Sequence, residues 1–126
     1  LGEGDGDDPQ QMLREELPAW CAEVGFDPAR VALYGWSMGG AGALSYLLDN
    51  PDTAAVAALS PAIAVDGPIV HRAGSIDGRR LGLWCGTDDA LYDSAQALTQ
   101  AISPAPAIAR FSPGVVRISV TLALCW

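Results

Sequence analysis

Apolar residues recur along this chain with two different periods, and the changes of period divide it into helices and strands. From Asp8 onward Met12, Leu13, Leu17, Trp20, Cys21 and Val24 fall at helical spacing, which predicts a helix ended by Gly25. Asp8 is the expected N-cap and Pro9 the first helical residue, while Pro18, lacking a backbone N–H, is expected to bend or split the helix. Asp27-Pro28-Ala29 then makes a turn, and Val31 to Tyr34 is a short apolar run of the kind found in strands buried on both faces. A helix from Met38 to about Leu48 follows, with Ala41, Leu44, Tyr46, Leu47 and Leu48 on its buried side and Asp49-Asn50-Pro51 as its stop. Ala54 to Ser60 and Arg80 to Cys85 predict two more strands, separated by an irregular excursion rich in Gly, Pro and Asp from Ile63 to Gly78. Leu91, Ala95, Leu98 and Ile102 mark one face of a helix from about Ala90 to Ile102.

Strand, helix, strand, loop, strand, helix is the alternation of the α/β class, with a parallel sheet flanked by helices. After Pro104 the pattern changes. Ile108 to Ser112 reads as a short strand and Pro113-Gly114 as a turn. From Val116 to Trp126 the even positions are Val, Ile, Val, Leu, Leu and Trp, against Arg, Ser, Thr, Ala and Cys at the odd ones. Strict alternation predicts an extra, half-buried C-terminal strand, pairing with Ile108 to Ser112 as a hairpin and prone to aggregation if left unpaired. Leu1 to Asp7 reads as a flexible loop, and no internal repeat breaks the expectation of a single domain over residues 1–126.

Half of the 126 residues are apolar, and 15 acidic residues against 7 arginines, with no lysine, give a net charge of -8. That balance argues against a nucleic-acid partner, and the acids read as solvated surface. Cys21, Cys85 and Cys125 are odd in number, widely spaced and far from any histidine cluster, so they read as free thiols with no metal site. No apolar run approaches the ~20 residues of a membrane span. The N-terminal stretch is Gly/Asp-rich rather than basic then apolar, which leans towards the cytoplasm, although the chain begins at Leu1 rather than Met.

The most informative chemistry lies in Gly35-Trp36-Ser37-Met38-Gly39-Gly40, where a strand runs straight into a helix through G-x-S-x-G-G. A nucleophilic hydroxyl must be thrust out on a sharp turn, and that turn needs neighbours without side chains. The alternative, a serine capping the next helix, does not call for glycine on both sides. Gly39, Gly40 and Gly42 each cost the helix about 1 kcal/mol relative to alanine, which points to close packing against the strand or to room for a ligand. Trp36 and Met38 flank the serine and either line an apolar pocket or simply pack. Dinucleotide binding is disfavoured because G-x-G-x-x-G is not formed here, and a phosphate loop would need the lysine that is lacking.

Three segments together, Gly35 to Gly40, Ala57-Ala58-Leu59-Ser60-Pro61 and Trp84-Cys85-Gly86-Thr87-Asp88-Asp89, make the chain resemble the central part of an α/β-hydrolase. In detail it is similar to the esterases that include S-formylglutathione hydrolases and the secreted mycobacterial mycolyltransferases. The resemblance covers roughly residues 8–102. It implies that Ser37 is the nucleophile, that the backbone N–H of Met38 is half of an oxyanion hole, and that an aspartate of the Gly86 to Asp89 turn orients a histidine. Asp89 fits the family's Gly-x-x-Asp-x-apolar pattern, with Asp88 as the alternate or as a helix cap. The implied reaction is hydrolysis of a small-molecule ester or thioester through an acyl-enzyme, or acyl transfer by the same intermediate, and it needs no cofactor.

Two parts of that machinery are missing from the text. The family's histidine follows the acid, whereas His71 precedes both aspartates; it reads as a surface residue or as a displaced base. The strands that normally precede the nucleophile are also lacking, which would leave one side of the Val31 to Tyr34 strand unpaired. Both gaps are expected of a fragment of a longer hydrolase with an atypical tail over residues 115–126. Such a chain is expected to be a weak catalyst, or a non-catalytic relative.

Overall fold

The structure, a computed structural model, describes residues 8–76 and 78–102, together with the backbone of strand residues 108–112 and 122–125. The sequence expectations for Leu1 to Asp7, for most of the 115–126 tail and for the side chains of the last two strands lie outside these described residues. The first helix begins as expected, with the Gln10 N–H donating to Asp8 Oδ1 at 2.9 Å and Pro9 opening α1 (Pro9–Gln11). A π-helical turn (Met12–Glu16) then leads into α2 (Leu17–Glu23). The wide turn sits directly before Pro18, whose ring and missing N–H disrupt a regular helical ladder there. Gly25, with φ 87, ends α2 by closing two bonds: Phe26 N–H to Cys21 O at 2.8 Å and Gly25 N–H to Ala22 O at 3.3 Å.

The strands β1 (Val31–Trp36), β2 (Ala55–Leu59) and β3 (Leu81–Gly86) lie parallel and adjacent. Helix α3 (Met38–Asp49) follows β1 and packs on β1 and β2, while α5 (Tyr92–Ala101) packs on β3. Val31, Leu33, Val56, Ala58, Leu81, Leu83 and Cys85 point into one continuous core with Leu44, Leu47 and Leu98. On the other sheet face Trp84 lies over Gly82, beside a cavity of about 550 Å3 also lined by Tyr34 and Ala57. The excursion between β2 and β3 is less irregular than its composition suggests. It holds α4 (Pro68–His71) and a 3₁₀ turn (Ala73–Ile76) that buries Ala73 and Ile76.

The last two strands correct the expected hairpin. β4 (Ile108–Ser112) pairs parallel with β3, whereas β5 (Leu122–Cys125) crosses to the far edge and runs antiparallel to β1, from Val31↔Cys125 to Tyr34↔Leu122. The sheet order is therefore β4-β3-β2-β1-β5, and the side of β1 expected to be bare is paired. Alternation specifies a strand and its faces but leaves the neighbour open.

The end of α3 is held by arginines from the excursion. Arg79 donates to Leu47 O at 2.9 Å, a carbonyl of the last helical turn, and to Asn50 O at 3.0 Å, which also accepts from the Thr53 N–H and hydroxyl. Arg72 adds a bond to Leu48 O at 3.3 Å and an exposed ion pair with Asp49 at 2.9 Å. Arg79→Ala is expected to lower stability by about 1–3 kcal/mol, read as a lower urea midpoint at unchanged slope, because two charge-assisted bonds vanish together. Arg72→Ala should cost under about 1 kcal/mol, as its groups are half in water.

Candidate active site

Ser37 is the single residue between β1 and α3, and its backbone stands at φ 56, ψ −116. For a serine this left-handed region carries strain on the order of 1–3 kcal/mol, sustained only where the surroundings enforce it. They do so through the backbone: Ser37 N–H donates to Leu59 O at 2.9 Å, while Ser37 O accepts from Ala41 N–H at 3.1 Å and Ala62 N–H at 2.9 Å. The side chain does not cap α3, which sets aside the capping alternative, since a cap residue has extended dihedrals and accepts from the helix.

Gly35 explains the tightness of the turn. A Cβ there would fall on the Gly39 carbonyl and 2.7 Å from Gly40 N, so the first turn of α3 stands directly on the end of β1. Gly40 is buried and Gly39 half-buried in that turn. The amides of Met38, Gly39 and Gly40 find no acceptor among the described residues, leaving three N–H groups beside Ser37. Trp36 is half-buried, and the Met38 side chain is 56 % exposed.

Parallel pairing brings the ends of β1, β2 and β3 to one edge of the sheet, with Trp36↔Leu59 and Leu59↔Trp84 in register. The Gly86 to Asp89 turn thus lies two strands from Ser37, on the order of 10 Å away. Within it Asp89 is half-buried and its Oδ1 accepts from Leu91 N–H at 2.8 Å, whereas Asp88 is exposed. Asp88 does not cap the next helix as its alternative reading expected: the N-cap of α5 is Leu91, with no side-chain cap bond, and the carboxylate bond in this turn is made by Asp89. His71 ends α4, exposed, with its N–H donating to Gly67 O at 3.0 Å. Among the described residues no hydrogen bond or ion pair joins Ser37, Asp88, Asp89 and His71 to one another.

The sequence marked Ser60 as a strand end and as part of a segment carrying the hydrolase resemblance, with no role of its own, yet its φ of 41 makes it, with Ser37, one of two non-glycine residues of positive φ among the described residues. Its hydroxyl is buried and lies 3.8 Å from Cys85 Sγ, which in turn is 3.5 Å from Gly86 O. The following Pro61 favours extended backbone at residue 60, so the sequence carried no signal for a left-handed serine there. Burial pushes the Cys85 thiol pKa up, partly offset by the Ser60 hydroxyl, with a further upward push from the Asp89 charge. Cys85 is a free thiol as expected, but Cys21 is disulfide-bonded, because pairing depends on distance in space that the spacing of cysteines does not reveal. Among the described residues no cluster of His, Cys, Asp and Glu could hold a metal ion, and no helix is long and apolar enough to cross a membrane.

Compared with models of protein families, residues 3–107 match the family Esterase, described as "Putative esterase". No curated protein and no solved structure matches the chain.

Proposed function

The chain belongs to the Esterase family, and on that premise we propose that it is a serine carboxylic-ester or thioester hydrolase working through an acyl-enzyme on Ser37. What carries this is the backbone of Ser37, a strained serine at a strand-to-helix turn whose hydroxyl is not spent on capping. In the proposed reaction Ser37 Oγ bonds to the acyl carbon, the Met38 N–H meets the oxygen that becomes negative, and the bond to the alcohol or thiol breaks as that group departs with the proton that the serine gave up. Water then attacks the acyl-enzyme and frees the acid. An alcohol in place of water would make the same chain an acyltransferase, and the likeness of its motifs to S-formylglutathione hydrolases and mycolyltransferases suits either acceptor.

Asp89 is proposed as the family's acid position, on its place in the turn after β3 where its half-buried carboxylate accepts the Leu91 N–H, with Asp88 as the alternate, and no imidazole is bonded to either among the described residues. His71 is assigned no part, since it lies exposed on α4 and among the described residues makes no hydrogen bond or ion pair with Ser37 or an acid. With no imidazole bonded to Ser37 among the described residues, acylation is expected to be slow. The same observation favours the second reading, a non-catalytic relative. A fluorophosphonate probe separates the two: it is expected to label the wild type at Ser37 and leave Ser37→Ala unlabelled, and a folded wild type that takes no label overturns the hydrolase.

A further inference from the structure

Of the two strained serines at this edge of the sheet, Ser60 has no part in the chemistry above and is buried at 2 % exposure. It stands at a junction. On one side lies the elbow: Leu59 O takes the Ser37 N–H at 2.9 Å, Ala62 N–H donates to Ser37 O at 2.9 Å, and Pro61 presses on Gly40, where a Cβ would lie 3.1 Å from Pro61 Cα. On the other side lies the carboxylate turn. Ser60 N–H donates to Trp84 O at 2.8 Å, and its hydroxyl donates to Cys85 Sγ at 3.8 Å. The Cys85 thiol donates to Gly86 O at 3.5 Å, and the same carbonyl accepts the Asp89 N–H at 3.2 Å.

We propose that Ser60 is a positioning residue: its buried hydroxyl, joined through Cys85 to the Gly86 to Asp89 turn, holds the Leu59 to Ala62 corner in its strained form and so fixes Ser37 and that turn in one frame. Its bearing on catalysis rests on Ser37 being the nucleophile. Strand β2 could end on an unstrained residue, and a left-handed serine persists only where several contacts over-determine it. Here those contacts are the ones that seat Ser37. Without the hydroxyl the corner is free to relax, and the bonds to Ser37 weaken before the core does.

The test is amide hydrogen exchange on Ser60→Ala and Cys85→Ala, read beside fluorophosphonate labelling and melting temperature. The amides of Ser37, Ala62 and Asp89 are expected to exchange at least tenfold faster in both variants, with the core amides of Leu47 and Leu98 unchanged. The labelling rate at Ser37 is expected to fall at least tenfold with little change in melting temperature. A serine that merely fills space would speed every amide together, and that result, or unchanged exchange at the three sites, overturns the proposal. Should Ser60→Ala fail to fold, Cys85→Ala alone carries the test, because it removes the acceptor of the hydroxyl and leaves the strained serine in place. If the wild type takes no label but the three amides respond, the nucleophile falls and the positioning role stands.

Discussion

Gly35→Ala is expected to cost this protein about 4 kcal/mol or more and to abolish labelling at Ser37. The added methyl would sit on the Gly39 carbonyl and 2.7 Å from Gly40 N, and both are backbone atoms of the first turn of α3. A side chain in the way could swing aside; a helix cannot. To make room α3 must withdraw from β1, and it carries Leu44 and Leu47, both fully buried in the core, so relief of the clash is taken from packing. A loss of this size is a large part of the 5–15 kcal/mol that holds a typical domain together. Urea unfolding followed by tryptophan fluorescence measures it. Gly74→Ala is the control, because a Cβ there meets nothing within 4 Å, and its stability should stay within about 0.5 kcal/mol of wild type. A wild-type midpoint for Gly35→Ala would mean that strand and helix do not meet as described.

Ester turnover that depends on Ser37 is expected to be slow in the chain as it stands and to rise when imidazole is added. A serine hydroxyl is a poor nucleophile at neutral pH without a base, and removing one member of a catalytic triad lowers kcat by factors on the order of 10⁴ to 10⁶. Imidazole in solution can take the proton that no described residue beside Ser37 accepts, so the rate with an activated ester such as p-nitrophenyl acetate should climb with its concentration. Imidazole also hydrolyses such esters directly, so the quantity that matters is wild type minus Ser37→Ala. That difference should be positive and grow with imidazole. A difference of zero at every concentration would favour the non-catalytic relative. Fast turnover without imidazole would show that a base already serves Ser37.

Most of the secondary structure could be read along the chain, because its signals are local. Asp8 followed by Pro9, Gly25 after a helical run, and apolar runs bounded by turn residues at β1, β2 and β3 each act within a few residues, and these elements lie where expected. The tight turn at Ser37 was legible for the same reason, since glycines at 35 and 39 announce it, and at Gly35 the structure leaves no room for a Cβ. The four-residue helix at Pro68 was not, because its stretch is dominated by residues that favour turns and its order comes from burying Ala73 and Ile76 nearby.

Neighbouring residues thus settled which segments are helix or strand, where they start and stop, and which serine stands on a bend. Folding alone settled the partners: β5 against β1 rather than β4, Cys21 in a disulfide, Arg79 on carbonyls about 30 positions away, and Ser60 turned left-handed over Cys85. The division follows from range. Backbone preference and hydrophobic period are carried by adjacent side chains, whereas a contact between distant residues exists only once the whole sheet has brought them together, and many arrangements satisfy the same local pattern.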